Sequence, residues 1–530
     1  MQLTKNMHIQ PNSYRSPIRG DNIVATSQPL AAQAGLAVMN KGGNAVDAAI
    51  ATAITLTVVE PTMNGIGSDA FCLVWDGQRL HGLNGAGKFP AKWTYEHYKK
   101  YSEMPISGWG SVTVPGAVSS WVELSRRFGR LAFEELFEPA VRYATDGFLV
   151  SNIIADQWAG QVNRFKEFEE FNRVFTNNGL TPKPGDRVSL PDHADTLTKI
   201  ASSNGQAFYQ GALAELMVED SDKHNGQLSI YDLGDHSVDW VSPISGSQKE
   251  FELHEIPPSG QGLAALIAVG ILNCLEDTTK SLSRLTRLHF EIESMKLALR
   301  EAYSEFSDPS FMKKSVEELL SDTYHRRLAA KISINKALQL PLTHQIVSDT
   351  VYLTTADTNG MMVSFIQSNY MGFGSGVVVP NTGISLQNRA AGFCLDHKHP
   401  NCVAGDKKPF HTIIPGFITR DKKPFSSFGV MGGDMQAQGH LQLYRKLVNG
   451  ERDPQNIINA PRWKLNKDGT LLLEETFGND ILISLETLGH RLKKMPYGSY
   501  EFGAAQMIIR SAHGYVAGSE PRRDGQAVGN

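Results

Sequence analysis

The apolar positions near the start of the chain predict two consecutive helices. The run LAAQAGLAVMNKGG, from Leu30, has helical spacing and ends at a glycine pair that favours a left-handed helix cap. Asn44 is a typical N-cap for the helix that follows, AVDAAIATAITLTVVE. Because this second helix is apolar on most of its faces, we expect it to lie inside the protein. The next segment, GIGSDAFCLVWDG, predicts a glycine-rich turn followed by a strand.

Further helices are predicted up to about residue 306. Residues 133–235 are richer in charge and predict the helices of an outer layer. The segment PPSGQGLAALIAVGILNCL, from Pro257, predicts a turn and another buried helix. Leu285 to Phe306 has the spacing of a long amphipathic helix.

After a polar helical stretch the pattern changes at Ser348, and strand-forming runs follow from Thr350. The runs TVYLTTAD and MMVSFIQSN are rich in strand-forming residues, and the turn signal Thr358-Asn359-Gly360 between them is typical of a hairpin. No internal repeat and no low-complexity linker separates this part from the preceding chain. We therefore expect the junction between Asp349 and Thr350 to lie inside one folded body.

Composition and charge narrow the classes of partner. The 530 residues are enough for a large core, and 51 basic against 55 acidic side chains give a net charge of -4. This balance gives no sign of the basic excess that suits nucleic acid or an anionic membrane, so small metabolites remain as partners. No apolar run approaches the ~18 residues of a membrane span, and MQLTKNMHIQPNSYRS is unlike a secretory signal. We expect a cytoplasmic protein without membrane attachment, and four cysteines are too few for a disulfide scaffold.

Seven segments carry the most specific information in the sequence. They are GGNAVDAAIATAITLTVVEPTMNGIGSDAF at Gly42, TVPGAV at Thr113, PPSGQG at Pro257, DTVYLTTAD at Asp349, GFGSGVVVP at Gly372, GISLQN at Gly383 and MGGD at Met431. In their order and their spread over almost the whole chain, they resemble the γ-glutamyltransferase family. The resemblance implies an α+β fold, a four-layer αββα sandwich of the N-terminal-nucleophile hydrolase type. It also implies self-cleavage into residues 1–349 and residues 350–530, two chains of one precursor that form a single intertwined body.

The same resemblance assigns the catalytic groups. Thr350 matches the family's catalytic threonine, which would attack the carbonyl of Asp349 and then become a new N-terminal residue. Its free α-amine, with a pKa of about 7.7–8.0, would serve as the base. Ser368 matches the hydroxyl that orients the nucleophile, and Gly432 and Gly433 match the paired glycines of the oxyanion hole. Without the resemblance, these residues would be interpreted as ordinary strand and turn positions.

The substrate-binding positions depart from the family pattern. The resemblance places Ala86 where the better-known members have an arginine for the donor's α-carboxylate, and Gly392 where they have an aspartate for its α-ammonium. His411 and Thr412 stand in place of a serine pair, and Tyr370 replaces an asparagine that is often found near the α-amine. Losing such charged partners removes hydrogen bonds of roughly 1.5–3 kcal/mol each. The departures weaken the expectation of efficient γ-glutamyl transfer.

The altered pocket is similar to that of the family branch related to glutaryl-type cephalosporin acylases, whose donors carry a terminal carboxylate and need no α-amine. Arg389 and His411 are then candidates to bind an anionic acyl group, although a surface salt bridge would explain Arg389 equally well. The first hypothesis is an amidohydrolase that cleaves, or transfers to an amine, the γ-glutamyl group of glutathione-like compounds. The alternatives are a glutaryl-amide acylase and a family member that only binds metabolites. The resemblance implies no cofactor.

Two further motifs resemble sites of other kinds. Gly65–Ala70 has the letters of a dinucleotide fingerprint but precedes a strand and not a helix, so we expect no nucleotide there. Cys394, His397, His399 and Cys402 are zinc-type ligands, but they lie in one short loop without the paired spacing of structural zinc sites. We expect no metal in this loop.

Overall fold

The computed structural model describes residues 15–277, 282–340 and 349–530. Its strands in chain order are β1 (Ile18–Gly20), β2 (Ile23–Thr26), β3 (Asp69–Trp75), β4 (Leu80–Asn84), β5 (Phe148–Leu149), β6 (Arg187–Val188), β7 (Asp239–Val241), β8 (Ile244–Gln248), β9 (Phe251–Glu255), β10 (Asp349–Ala356), β11 (Met362–Tyr370), β12 (Gly416–Arg420), β13 (Lys423–Met431), β14 (Trp463–Leu465), β15 (Leu471–Glu474), β16 (Leu492–Met495), β17 (Ala504–Arg510), β18 (Tyr515–Ser519) and β19 (Gln526–Gly529).

The α-helices in chain order are α1 (Pro29–Asn40), α2 (Ala45–Val59), α3 (Tyr95–Tyr98), α4 (Ala117–Phe128), α5 (Glu138–Asp146), α6 (Asn152–Gln161), α7 (Glu169–Phe175), α8 (Pro191–Ser202), α9 (Gln206–Gln210), α10 (Ala212–Lys223), α11 (Ile230–Gly234), α12 (Gly262–Asp277), α13 (Arg284–Glu305), α14 (Val316–Leu319), α15 (Asp322–Ala329), α16 (Met435–Val448), α17 (Pro454–Asn459) and α18 (Asn479–Thr487). The helices predicted from Pro257 and over Leu285 to Phe306 are confirmed as α12 and α13. The predicted outer layer is confirmed as α5 to α11.

Two seven-stranded antiparallel sheets form the centre of the molecule. We call the sheet with the order β1-β18-β17-β13-β12-β9-β8 sheet A and the sheet with the order β19-β2-β10-β11-β3-β4-β7 sheet B. Apolar side chains from both sheets pack between them, among them Phe71 and Ile366 from sheet B and Phe417 and Ile508 from sheet A. Helices α1, α2 and α4 cover the outer face of sheet B, and α12, α13 and α16 cover that of sheet A. The predicted four-layer αββα sandwich is confirmed.

Helix α2 shows why the N-terminal pattern folds as predicted. All of its residues are buried, and its N-cap Asn44 forms a reciprocal capping box with Asp47. The hydroxyls of its three threonines each donate to a carbonyl of the same helix, so the polar side chains are satisfied without water. The helix can therefore lie against sheet B on one side and the outer helices on the other.

Strands β10 and β11 form the predicted hairpin in the middle of sheet B. They pair with each other and are flanked by β2 and β3. The backbone of Asp349 pairs with Tyr370, and the register shifts between Asp349 and Val351. Thr350 therefore lies at a bulge at the start of β10, a feature that re-aims a side chain next to a site.

The described residues contain no helix that is both long enough and apolar enough to cross a membrane. The polar run at the start of the chain lies largely in residues 1–14, outside the described residues. All four cysteines are free thiols.

Candidate active site

The hydroxyl of Thr350 is held by a second hydroxyl on the neighbouring strand. Thr350 is 1% exposed, and its Oγ1 donates to Ser368 Oγ at 3.1 Å. Ser368 Oγ also accepts from the backbone N–H of Tyr370 at 2.8 Å. Tyr370 has a φ of 75°, in the left-handed region, where β11 ends. The bulge in β10 and this turn together bring the two hydroxyl groups into contact.

The paired glycines lie across from Thr350, on sheet A. Strand β13 faces β10: Thr354 Oγ1 and Ser427 Oγ are 2.6 Å apart, and the ring of Tyr352 packs against Gly429. From the first contact to the second, the position moves back by two residues on β10 and forward by two residues on β13. One more step of the same size places Thr350 opposite Met431, the residue before the glycine pair.

Gly432 and Gly433 have backbone conformations that other residues rarely adopt, with φ values of 122° and 58°. In the part of the chain that the structure describes, no carbonyl or side chain accepts from the N–H of either glycine. The Gly433 carbonyl is fixed by Gln261 Nε2 at 2.9 Å and by the N–H of Gln436 at 3.1 Å. Helix α16 begins at Met435, so these N–H groups stand at its positive end. The arrangement suits a developing negative charge.

Gly503 supports the glycine pair from behind. A Cβ added at Gly432 would lie 2.9 Å from Gly503 Cα, and one added at Gly503 would lie 2.0 Å from the carbonyl oxygen of Met431. Arg462 donates to the carbonyl of the residue before Gly503 at 3.0 Å. The same guanidinium is paired with the buried Glu520 at 2.8 Å. The conformation of the glycine pair is therefore tied to a buried ion pair.

A buried charged cluster lies on the other side of Ser368. It consists of Asp69, Arg389, His411 and Thr412, all of them inaccessible to solvent. Asp69 Oδ2 lies 3.5 Å from Arg389 Nε and 3.1 Å from His411 Nε2, and Arg389 Nη1 donates to Thr412 Oγ1 at 3.0 Å. Asp69 pairs directly with Ser368 across β3 and β11. Because directly paired residues point to the same face of a sheet, the two side chains are neighbours.

Burial controls ionisation in the charged cluster. It raises the pKa of the Asp69 carboxyl to about 7, against the opposing effect of Arg389 and nearby backbone N–H groups. It lowers the pKa of Arg389 to about 10, so the guanidinium stays charged at neutral pH. Burial, together with the positive charge of Arg389, lowers the pKa of His411 well below its ordinary value. His411 is therefore neutral, and since the Ile413 N–H donates to its Nδ1 at 3.4 Å, its Nε2 donates to Asp69.

Arg389 retains hydrogen-bonding capacity. Among the described residues its Nη2 has no acceptor, and the hydroxyl of Tyr370 likewise has no partner. The guanidinium lies 4.3 Å from the centre of the Tyr370 ring, which supports the cation on one side. Unsatisfied buried donors are costly, so this pair of groups favours an anionic ligand that accepts from them.

The two positions that lack the family's charged residues border this cluster. The N–H of Gly87, next to Ala86, faces the Asp69 carboxylate. Gly392 ends the 3₁₀ turn that begins at Arg389. Arg389 thus places a guanidinium near Ala86, the position at which the better-known family members have an arginine.

The structure brings the predicted site residues into two adjoining groups, with Tyr370 between them. Asp69 was not among the predicted site residues, because it falls inside the glycine-rich segment that resembled a nucleotide fingerprint. That segment does precede a strand, as predicted, and Asp69 is the first residue of that strand. Asp69 could have been noticed because it is a carboxylate at the start of an otherwise apolar strand, and charged residues are seldom buried without a partner.

The cysteine–histidine loop makes contacts within the protein. His399 Nε2 lies 2.8 Å from the carbonyl of Tyr303, and its Nδ1 accepts from the N–H of Asn401 at 3.0 Å. The thiols of Cys394 and Cys402 are directed at backbone carbonyls within the loop. The loop is thus organised by hydrogen bonds to the backbone.

One other group of metal-type ligands occurs among the described residues. His289, Glu293 and His490 lie close together in the interior. The ammonium group of Lys296 is 2.7 Å from Glu293 and 3.3 Å from His490. A protein cation thus already contacts two of the three residues of this group.

Comparison with known proteins identifies relatives along the whole chain. Residues 31–530 match the family model for gamma-glutamyltranspeptidase. The chain is 33% identical over 528 residues to the glutathione hydrolase-like YwrD proenzyme of Bacillus subtilis, covering 97% of this chain and 99% of the relative. It is 33% identical over 515 residues to the oxamate amidohydrolase proenzyme of Klebsiella pneumoniae, covering 94% and 97%. The crystal structure of a cephalosporin acylase from Bacillus halodurans superposes with a TM-score of 0.93 at 43% identity, covering 100% of this chain and 99% of that one.

The relatives are named as hydrolases, amidohydrolases and acylases, and the two curated relatives are named as proenzymes. The family expected from the seven sequence segments is confirmed by the match across the chain. The chain therefore belongs to the γ-glutamyltranspeptidase family and is an enzyme of the N-terminal-nucleophile hydrolase type.

Proposed function

We propose that this protein is a self-cleaving amidohydrolase for amides whose acyl group ends in a carboxylate, with Thr350 as its nucleophile. One observation carries the proposal: three adjacent strands of sheet B place Thr350, Ser368 and Asp69 in a row, and Arg389 is held at the far end of it. The free N–H groups of Gly432 and Gly433 lie opposite the nucleophile. A nucleophile thus has donors for a developing oxyanion opposite it on sheet A and a row of side chains on sheet B that leads to a buried cation.

In this proposal the precursor cleaves its own bond between Asp349 and Thr350. The Thr350 oxygen adds to the carbonyl carbon of residue 349, the C–N bond breaks, and the acyl group moves from nitrogen to oxygen. Water then hydrolyses the ester, which leaves a carboxylate on residue 349 and a free α-amine on Thr350. The names of the two curated proenzyme relatives support this step for the family.

The mature enzyme repeats the same chemistry on its substrate. The α-amine of Thr350, with a pKa of about 7.7–8.0, accepts the proton of its own hydroxyl and passes it to the departing amine. The N–H groups of Gly432 and Gly433 bind the oxyanion of the tetrahedral intermediate. Ser368 holds the Thr350 oxygen in place. Water releases the acyl group from the ester, and an amine that takes the place of water would give transfer.

The row from Thr350 to Asp69 sets the length of the acyl group. Two interstrand spacings separate the backbones of Thr350 and Asp69 by about 9.5 Å, and we infer that the cation beside Asp69 lies out of reach of a carboxylate next to the reacting carbonyl. A glutaryl chain, with its second acid at the far end, fits this separation. In this proposal Arg389, Thr412 and the Tyr370 hydroxyl bind that acid, and His411 acts by holding Asp69. Oxamate, named in the Klebsiella relative, is also an amide that carries a carboxylate, but a much shorter one.

A γ-glutamyl donor is the second candidate, and Asp69 is the observation that favours it. The α-carboxylate and α-ammonium of such a donor need a cation and an anion side by side, which Arg389 and Asp69 provide. The pair is less suited to the task than separate residues would be, because each group already neutralises the other and would have to exchange its partner. We therefore rank the glutaryl donor first.

The test is a comparison of three p-nitroanilides with the same leaving group: glutaryl, γ-glutamyl and butyryl. We expect kcat/KM for the glutaryl and γ-glutamyl substrates to agree within about tenfold, the equivalent of one contact of ~1.4 kcal/mol. Butyryl, which lacks the acid, should react about 10- to 100-fold more slowly than glutaryl, because it forfeits a charge-assisted contact of roughly 1.5–3 kcal/mol.

The Thr350→Ala protein serves as the control for contaminating activity in this panel. A strong preference for the γ-glutamyl substrate would select the second candidate. Equal rates for butyryl and glutaryl would remove Arg389 from substrate recognition. Inactivity of a cleaved preparation on all three would contradict the proposed function and leave the metabolite-binding alternative.

A further inference from the structure

A cleft of about 320 Å³ opens next to Tyr370, and five Phe and Tyr side chains contribute to its walls. Its principal apolar lining residues are Tyr303, Phe306, Tyr370, Phe393, Leu395 and Phe410. Ile106, whose side chain is 45% exposed, also contributes to the cleft. Concave sites with such walls bind ligands mainly by burying flat apolar surface.

Two wall residues of the cleft are hydrogen-bonded to residues of the candidate active site. The backbone N–H of Tyr370 donates to Ser368 Oγ, which accepts from the Thr350 hydroxyl. On another wall, Tyr303 is hydrogen-bonded to Asp434, the residue that follows the glycine pair. A molecule in the cleft would therefore touch one residue bonded to Ser368 and another bonded to the residue that follows the glycine pair.

Tyr370 lies between the cleft and the charged cluster, and the cleft also reaches Gly392, the last residue of the turn that begins at Arg389. The Arg389 guanidinium stacks on the Tyr370 ring, and none of the four residues of the charged cluster lines the cleft. An amide held at Thr350 has one substituent on its carbonyl carbon and one on its nitrogen. If the carbonyl side extends along the row toward Arg389, the nitrogen side is left facing the aromatic cleft.

We propose that this cleft is the subsite for the amine half of the substrate, and that it selects amines bearing an aromatic ring over small aliphatic amines. This inference rests on the proposed amidohydrolase function and adds the class of leaving group to it. Aromatic rings gain from edge and face contacts with the surrounding rings, beyond the area that they bury. A short alkyl amine reaches the cleft but covers little of its surface.

The test compares two glutaryl amides, the anilide and the n-propylamide, in wild-type protein and in three variants. Ile106→Ala and Leu395→Ala remove apolar surface from the cleft. Ile483→Ala is the matched control, because Ile483 is 61% exposed and lies in α18, away from the cleft. Using the ratio of the two amides within each protein cancels their different intrinsic reactivities.

We expect each cleft variant to lower kcat/KM for the anilide by roughly tenfold and for the propylamide by less than about twofold. Ile483→Ala should leave both values unchanged. Self-cleavage at residue 350 and the temperature of unfolding report whether each variant is folded. If the cleft variants lower both amides by the same factor, or lower neither, the subsite assignment is wrong while the proposed function stands.

A binding measurement distinguishes failure of the subsite assignment from failure of the proposed amidohydrolase function. Saturation-transfer NMR with acetanilide and with N-propylacetamide needs no turnover, and it is done on the uncleaved Thr350→Ala protein. Selective binding of acetanilide that Ile106→Ala weakens supports the cleft even if no glutaryl or γ-glutamyl amide is hydrolysed. Equal signals for the two amides, unchanged in the variant, overturn the inference on their own.

Discussion

The nucleophile region and the charged cluster adjoin each other, but they are built in different ways. The nucleophile region consists of two hydroxyls and two backbone N–H groups, and strand register places all of them. The charged cluster consists of long or ring-bearing side chains from segments that are distant in the chain and meet only in the folded protein. The first region therefore tolerates little change, whereas the second can be rebuilt by moving a charge from one segment to another.

The two regions also differ in how they hold charge. The nucleophile region presents uncharged dipoles at the start of α16, which stabilise a negative charge only when it develops. The charged cluster holds a permanent guanidinium in the interior, and the buried Asp69 and neutral His411 hold it in place. The first arrangement suits a transition state, and the second suits a group that is already anionic in the ground state.

The largest effect is expected from removing the Thr350 hydroxyl. Thr350→Ala should abolish both self-cleavage and hydrolysis, whereas Thr350→Ser should retain part of each, because serine supplies a hydroxyl and, after cleavage, an α-amine. Denaturing gels of the wild type should show two chains that share the 58.2 kDa mass in a ratio of about two to one. N-terminal sequencing of the smaller chain should begin at Thr350.

The charged cluster provides the contrast for this experiment. Arg389→Met should still cleave itself, because the bond between residues 349 and 350 is held by β10 and not by Arg389. Complete cleavage of Thr350→Ala, or a small chain that starts at another residue, would show that the nucleophile is assigned wrongly.

The second largest effect should come from Gly503, which acts on the nucleophile region without contacting substrate. In Gly503→Ala the new Cβ would lie 2.0 Å from the Met431 carbonyl, so the strand end that leads to the oxyanion donors must shift. Loss of one such donor costs about 10²–10³ in kcat, and we expect a decrease of up to about 100-fold, with a much smaller change in KM.

Gly478→Ala is the matched control for the backbone strain in that variant. Gly478 also has a positive φ, 88°, but a Cβ added there meets no atom of the described residues within 4 Å. The two variants share the strain of an alanine at positive φ, and only Gly503→Ala adds the displacement. Equal decreases in kcat would show that general destabilisation, and not the position of the glycine pair, is responsible.

The sequence was sufficient for the parts of the molecule that depend on local pattern. Helix α2 with its Asn44 cap, the hairpin around Gly360 and the buried α12 follow from periodicity and turn chemistry. The positions of Thr350 and Ser368 followed from the resemblance, and the fold confirms that they are neighbours. Local pattern determines these features because the interacting residues are close in the chain or on paired strands.

Contacts over long sequence separations are what the sequence did not reveal. Asp69 and Arg389 are 320 positions apart, and nothing local to either residue identifies the other. The surface salt bridge considered for Arg389 is excluded by its complete burial. His411 was predicted as a candidate to bind an anionic acyl group, and the sequence did not reveal that its pKa is lowered in the fold or that it donates to Asp69 as a neutral ring. Ionisation depends on burial, and burial is a property of the packed protein.

The third prediction concerns donor selection by the charged cluster. Arg389→Met should lower kcat/KM for glutaryl p-nitroanilide by about 10- to 100-fold, the equivalent of a charge-assisted contact of roughly 1.5–3 kcal/mol. The butyryl substrate should change by less than about twofold, because it has no acid to bind. Arg389→Lys should recover only part of the loss, since an ammonium cannot reproduce the planar donor pattern. Equal losses for both substrates would assign Arg389 a structural role.

The smallest effect is expected in the pH dependence of stability, where the two regions can be compared without substrate. The pKa of Asp69 in the fold, about 7, lies above its ordinary value of 3.8, because burial outweighs Arg389. Between pH 3.8 and about pH 7 the Asp69 carboxyl therefore keeps its proton in the folded chain and releases it in the unfolded chain. The stability that the protonated Asp69 contributes is complete below about pH 4 and is lost as the pH rises through about 7.

The measurement is the urea midpoint at about pH 5 and pH 8, in the uncleaved Thr350→Ala background, so that unfolding involves a single chain. Relative to Asp69→Asn, which cannot titrate, the parent should lose stability between the two pH values. The difference in stability between the parent and Ser368→Ala, a variant in the nucleophile region, should be the same at both pH values, because a serine hydroxyl does not titrate in this range. A difference from Asp69→Asn that stays constant between the two pH values would instead mean that Arg389 keeps Asp69 ionised throughout. The acyl carboxylate would then meet a cation that is already neutralised, and donor selection would depend on the hydrogen bonds of Thr412 and Tyr370 and not on charge.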